Sequence, residues 1–137
     1  MFNMLKQEQT RTRTRPLKVL LVDDELSTQK MVGRRLEASG YQVLLAGSGR
    51  LALELARDQS PDVIVMDIMM PDMSGDDAAF RLKNDERTAR IPIIFLTCLV
   101  QPNEASESNF KAGENMILPK PMDSGQLIST IEKVVGR

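Results

Sequence analysis

A parallel α/β sandwich is the fold class this sequence predicts, and three observations carry it. An apolar run followed by a helical stretch recurs five times, the connections are short and polar, and two of the runs, VLLV and VIVM, are apolar at every position. Strands that are apolar throughout suit a sheet covered by helices on both faces, so the first and third runs should be central.

The elements follow in order. Residues 1–16 are polar, lack either periodicity and close with alternating Thr and Arg before Pro16, which reads as a disordered basic arm, leaving 17–137 as one domain. Strands are expected at 17–22, 42–46, 62–66, 92–96 and 116–118, with helices near 26–39, 49–58, 75–86, 102–112 and 123–135. Gly40 and Gly113 stand where a helix should stop and the chain turn. The last helix has the clearest pattern: Asp123 with Gln126 resembles a capping box, and Leu127, Ile131, Val134 and Val135 share a face. The fourth is the most polar, with only Ala105 and Phe110 to mark a buried stripe.

Composition narrows the function. The 137 residues, 42% of them hydrophobic, suffice for one domain with a two-sided core. Formal charge is −1, divided as +3 on residues 1–16 and −4 on the rest, so the domain has no clustered basic face for direct nucleic acid binding. No run reaches membrane-spanning length, and the N-terminus lacks the apolar core of a signal peptide. Cys98 is the one cysteine, which excludes an intramolecular disulfide and fits a reducing, cytoplasmic setting. The chain has no histidine, which removes His-dependent triads, histidine metal ligation and a phosphohistidine of its own.

Four of the apolar runs end in groups suited to phosphate chemistry. KVLLVDD delivers Asp23 and Asp24, PDVIVMD delivers Asp67, IPIIFLT delivers Thr97 and NMILPKP delivers Lys120. In parallel sheets ligands bind beyond the carboxyl ends of the strands, so residues far apart in sequence would converge on one edge. Three carboxylates together repel one another, by roughly 4 kcal/mol for a pair about 4 Å apart near a surface, and call for a cation. Oxygen ligands without histidine fit a hard ion such as Mg²⁺ better than zinc. Asp67 can then act as a nucleophile toward phosphorus, while Thr97 donates a hydrogen bond and Lys120 supplies fixed positive charge. Taken singly, each residue has a plainer use: Asp24 as a helix N-cap, Thr97 as a structural strand end, Lys120 as a loop charge, Asp67 as the start of a turn.

Together, VLLVDDE, DIMMPDMSG, IIFLT and the lysine followed by proline resemble the receiver domains of two-component response regulators, over about residues 17–135. The resemblance implies a flavodoxin-like, doubly wound, five-stranded parallel sheet in the order 2-1-3-4-5 with five helices. It implies that Asp67 is the phosphoacceptor, that Asp23, Asp24 and Asp67 hold Mg²⁺ with the backbone carbonyl of Met69, and that Thr97 and Lys120 contact the phosphoryl group. The Lys120–Pro121 bond is implied to be cis, and Pro71 and Gly75 match the family's loop.

The implied donor is a histidine kinase or phosphotransfer protein, and the implied target a downstream protein or output domain. A phosphorylation-dependent homodimer is a further possibility. Such a domain assists only its own phosphorylation and dephosphorylation. Three positions depart from the pattern. Ile117 replaces the usual Tyr or Phe and has no ring to rotate; Cys98 replaces Ala or Ser and reads as a small buried packing residue; Met69 is placed to shield the phosphoryl group from water. Ile117 also motivates the alternative of an interaction module that works without phosphorylation. A phosphohydrolase or phosphotransferase with an aspartyl nucleophile ranks third, because the connections leave no room for a cap or substrate pocket.

Overall fold

The computed structural model describes residues 15–98, 111–112, 115–120 and 123–136. Five parallel strands form the sheet: β1 (Lys18–Val22), β2 (Gln42–Ala46), β3 (Val63–Asp67), β4 (Ile93–Thr97) and β6 (Asn115–Pro119). A two-residue strand, β5 (Lys111–Ala112), pairs antiparallel with β6 at the edge, giving the order β2-β1-β3-β4-β6-β5. The parallel part reproduces the expected order, with β1 and β3 at its centre. Four helices are described: α1 (Leu26–Ala38), α2 (Gly49–Gln59), α3 (Gly75–Lys83) and α4 (Ser124–Val134).

Alternation along the strands divides the core in two. Leu20, Val22, Ile64, Met66 and Phe95 face α2 and α3, where Ala52, Ala56, Ala78 and Leu82 close over them. Val19, Leu21, Val65, Ile94 and Leu96 face the other way and meet Val32 and Leu36 of α1 and Leu127 and Ile131 of α4. Each such buried aliphatic side chain contributes about 1.5–3 kcal/mol, which ties the strand register to the hydrophobic pattern.

Local chemistry sets the helix ends. Ser48 and Ser74 cap α2 and α3 by accepting from the Leu51 and Asp77 N–H groups at 3.2 and 3.1 Å. Gly40, at φ +96°, supplies the left-handed turn after α1.

Several expectations need correction. Helix α3 ends at Lys83 instead of 86, because the side chains of Asn84 and Thr88 donate to the carbonyls of Phe80 and Leu82 at 2.7 and 2.6 Å and divert the last turn. Asp123 caps α4 but accepts from Gly125 N–H at 2.8 Å, so the cap is a short Asx-type bond. The expected helix over 102–112 ends in residues that form β5, whose ladder with Asn115 and Met116 claims their backbone. Residues 102–110, Gly113, the arm 1–14 and Pro121, with its implied cis bond, lie outside the described residues.

Candidate functional site

All four expected groups meet at the carboxyl edge. Asp23 follows β1, and its backbone N–H donates to the Ala46 carbonyl at 3.0 Å, tying the end of β1 to the end of β2. Its side chain is fully buried and well occupied: Oδ1 accepts from Glu25 N–H at 2.9 Å and Oδ2 from Lys120 Nζ at 2.9 Å. Gln29 Nε2 holds the Asp23 carbonyl at 2.6 Å. Asp67 ends β3, nearly buried, with Oδ1 accepting from Met69 N–H at 3.1 Å and Oδ2 facing Lys120 Nζ at 3.4 Å. Asp24 is exposed above them, and one carboxylate oxygen from each of Asp23, Asp24 and Asp67 lies within 4.8 Å of the others.

Lys120 enters from the end of β6. Its backbone N–H donates to the Thr97 carbonyl at 2.9 Å, so the last turn of the β4–β6 ladder aims the side chain at the acids. Thr97 itself is buried at the end of β4. Lys120 also binds Glu25 Oε1 at 3.0 Å, so one ammonium serves three carboxylates. With Asp24 nearby, four acids meet one base among the described residues. Burial alone would lower the Lys120 pKa, but the hydrogen bonds it donates to Asp23 and Glu25 and the charges of Asp23 and Asp67 hold it above the ordinary lysine range. Burial, with help from the charge of Asp23, raises Asp67 above the usual carboxylate range despite the opposing pull of Met69 N–H and Lys120.

The loop after Asp67 is closed tightly. Gly75 N–H donates to the Ile68 carbonyl at 2.6 Å, and a Cβ at Gly75 would sit 2.8 Å from the Asp67 carbonyl oxygen and from Ile68 Cα. Only glycine lets α3 begin this close to the end of β3.

The remaining sequence-predicted positions divide. Ile117 is buried in β6, in register with Phe95. The Met69 side chain is 55% exposed, whereas Met66 and Met70 are buried in the core. Cys98 is exposed, contrary to the buried packing role, because it follows the last residue of β4 and lines an open hollow of about 350 Å³ with Thr28, Met31 and Lys120. The N-cap of α1 is Glu25, not Asp24, and makes no side-chain cap bond. Asp24 therefore has no capping duty to explain it. Sequence reasoning missed Glu25 and Asp72; adjacency to the acidic pair was the available signal for Glu25, and a place in the MPDM turn for Asp72.

An all-oxygen donor set of mixed burial, carrying excess negative charge, fits a hard divalent cation such as Mg²⁺. Among the described residues, no helix is long and apolar enough to cross a membrane.

Comparison with known proteins agrees with this geometry. The family model of the response regulator receiver domain matches residues 19–132. The chain is 35% identical over 118 residues to the polar-differentiation response regulator DivK of Brucella ovis, covering 86% of this chain and 95% of that protein. It is 33% identical over 120 residues to the DNA-binding dual master transcriptional regulator RpaA of Synechocystis, covering 88% of this chain but 49% of that protein. The chain thus spans about half the length of RpaA and nearly all of DivK. Among solved structures, the receiver domain of a Pseudomonas aeruginosa sensor histidine kinase, with a magnesium ion coordinated in its active site cleft, superposes with TM-score 0.77 at 31% identity over 89% of this chain and 99% of that one. The chain belongs to the response regulator receiver domain family of two-component signalling.

Proposed function

We propose that this domain is a phosphorylation-controlled switch that accepts a phosphoryl group on Asp67 from the phosphohistidine of a kinase or phosphotransfer protein. One observation carries the reading: the Lys120 ammonium stands between buried Asp23 and Asp67, with Asp24 beside them, at the open carboxyl edge of the sheet. These 137 residues contain no histidine, so the phosphohistidine donor lies outside them.

In the transfer, an Asp67 carboxylate oxygen attacks phosphorus as the phosphorus–nitrogen bond to the donor imidazole breaks. The electron pair leaves with the imidazole, so the acceptor needs no separate base. Asp23, Asp24 and the Met69 carbonyl would hold Mg²⁺, which supplies charge neutralisation for the phosphoryl oxygens. Lys120 turns from its carboxylates toward those oxygens, and the Thr97 hydroxyl donates to one of them. The hollow beside Lys120 gives a donor side chain room to approach. In this reading the exposed Met69 side chain, two residues past Asp67, shields the phosphoryl group from water, so Met69→Asn should speed loss of that group; an unchanged rate would remove that role.

Phosphorylation then shifts the population toward a form with altered affinity for a downstream protein or output domain, or for a second copy of the chain. A coupling of about 1–3 kcal/mol suffices. Ile117 is buried and lacks a ring, so the change reaches the surface through backbone movement around Thr97 and β6. Backbone amide spectra recorded with Mg²⁺ and beryllofluoride test the proposal. Large shifts around residues 67, 97 and 120 are expected. A spectrum unchanged by both would favour an interaction module that works without phosphate.

A further inference from the structure

The two halves of the acidic site are joined by more than the sheet. Asp23 and Asp24 belong to the end of β1, Asp67 and Met69 to the end of β3. Backbone donation from Asp23 to Ala46 links the first half to β2, and the two residues after Ala46 lead directly to the first residue of α2, Gly49. There Asp72, from the acceptor loop, takes hold: Oδ1 accepts from Gly49 N–H and Oδ2 from Arg50 N–H, both at 3.0 Å. The Met73 side chain packs directly on Gly49, so the contact has an apolar component as well. On the far side of the loop, Met69 N–H holds Asp67. The result is a closed circuit running from Asp23 through Ala46, Gly49 and Asp72 to Met69 and Asp67.

We propose that Asp72 is a positioning residue for the cation site, clamping the loop that carries Asp67 and Met69 to α2 and so fixing its distance from Asp23 and Asp24. The inference rests on the reading that the site holds Mg²⁺. Its physical basis is that Asp72 is engaged by main-chain donors on another element, a charge-assisted arrangement with little freedom to shift. Those N–H groups also hold the Asp72 carboxyl below the usual carboxylate range. A second capping group at the same helix end, Ser48, accepts from Leu51 N–H within α2 itself. It therefore provides a control that weakens α2 and leaves the clamp in place.

The test is calorimetric titration of the parent chain, Asp72→Ala, Asp72→Asn and Ser48→Ala with Mg²⁺ alone, beside thermal melts of each. Outer-shell partners of metal ligands are typically worth about 10- to 100-fold in affinity; Asp72 acts one step further out, so Asp72→Ala should weaken binding by at least about threefold. Asp72→Asn, which keeps one acceptor oxygen, should recover part of the loss. Ser48→Ala should melt earlier yet bind Mg²⁺ like the parent. Equal affinity in the parent and Asp72→Ala would overturn the clamp alone. Equal losses in Asp72→Ala and Ser48→Ala would also overturn it, since affinity would then follow helix stability. A parent chain that binds no Mg²⁺ would sink the underlying reading of the site and the inference with it.

Discussion

The two ends of the sheet carry ion pairs of contrasting design. At the amino end, Arg15 forks onto Asp62, with Nη1 to Oδ2 at 3.0 Å and Nη2 to Oδ1 at 3.4 Å, and Lys18 N–H adds a bond to the same carboxylate at 2.7 Å. Among the described residues one cation meets one anion there, and the Arg15 side chain remains half exposed. At the carboxyl end, Lys120 is shared among Asp23, Glu25 and Asp67 while Asp24 stands by, and one of those partners, Asp23, is fully buried. Balanced charge fastens Arg15 and the start of β1 to the residue before β3. Unbalanced charge leaves the other end short of a cation, and there chemistry rather than stability explains the residues.

Removing the shared cation should have the largest effect. Lys120→Met leaves Asp23 buried without its ammonium, and a loss of about 3 kcal/mol is expected, at the low end for a broken buried pair because Lys120 keeps some access to solvent. Mg²⁺ should restore part of it; urea titrations with and without the ion measure both. An equal loss in the two conditions would mean that the acids do not share a cation site.

Relieving the excess negative charge should act in the opposite direction. Asp24→Asn removes one of the crowded carboxylates, and without metal a gain of about 1 kcal/mol or less is expected, limited by screening at an exposed site. Mg²⁺ binding should weaken in the same variant. An unchanged melting temperature together with unchanged Mg²⁺ affinity would show that the cluster is not under electrostatic strain. The smallest effect belongs to the balanced end: Arg15→Ala should lower the melting temperature only slightly, and the difference should vanish in high salt. A loss comparable to that of Lys120→Met would erase the contrast between the two ends.

What the sequence made legible follows the same division. The four strands that end in functional groups were readable because burial on two faces leaves continuous apolar runs, and Asp67, Asp23 and Lys120 stand where those runs stop. Glu25 was not assigned, because its contact with Lys120 spans 95 positions and depends on how the β1–α1 turn meets the end of β6. Asp72 was hidden for a related reason: its partners are backbone N–H groups of another helix, which leave no side-chain signature. Two residues carry too little periodicity to reveal a ladder, so the pattern in the sequence places β5 at the end of a helix. Cys98 stands where the family has a small residue, which suggests burial, yet the chain is already leaving the sheet there and the side chain is exposed.

The most direct measurement is the intact mass of the protein after incubation with Mg²⁺ and acetyl phosphate, beside an Asp67→Asn control. One phosphoryl adduct on the parent chain and none on the control is the expected result. An adduct of equal size on Asp67→Asn would contradict Asp67 as the acceptor.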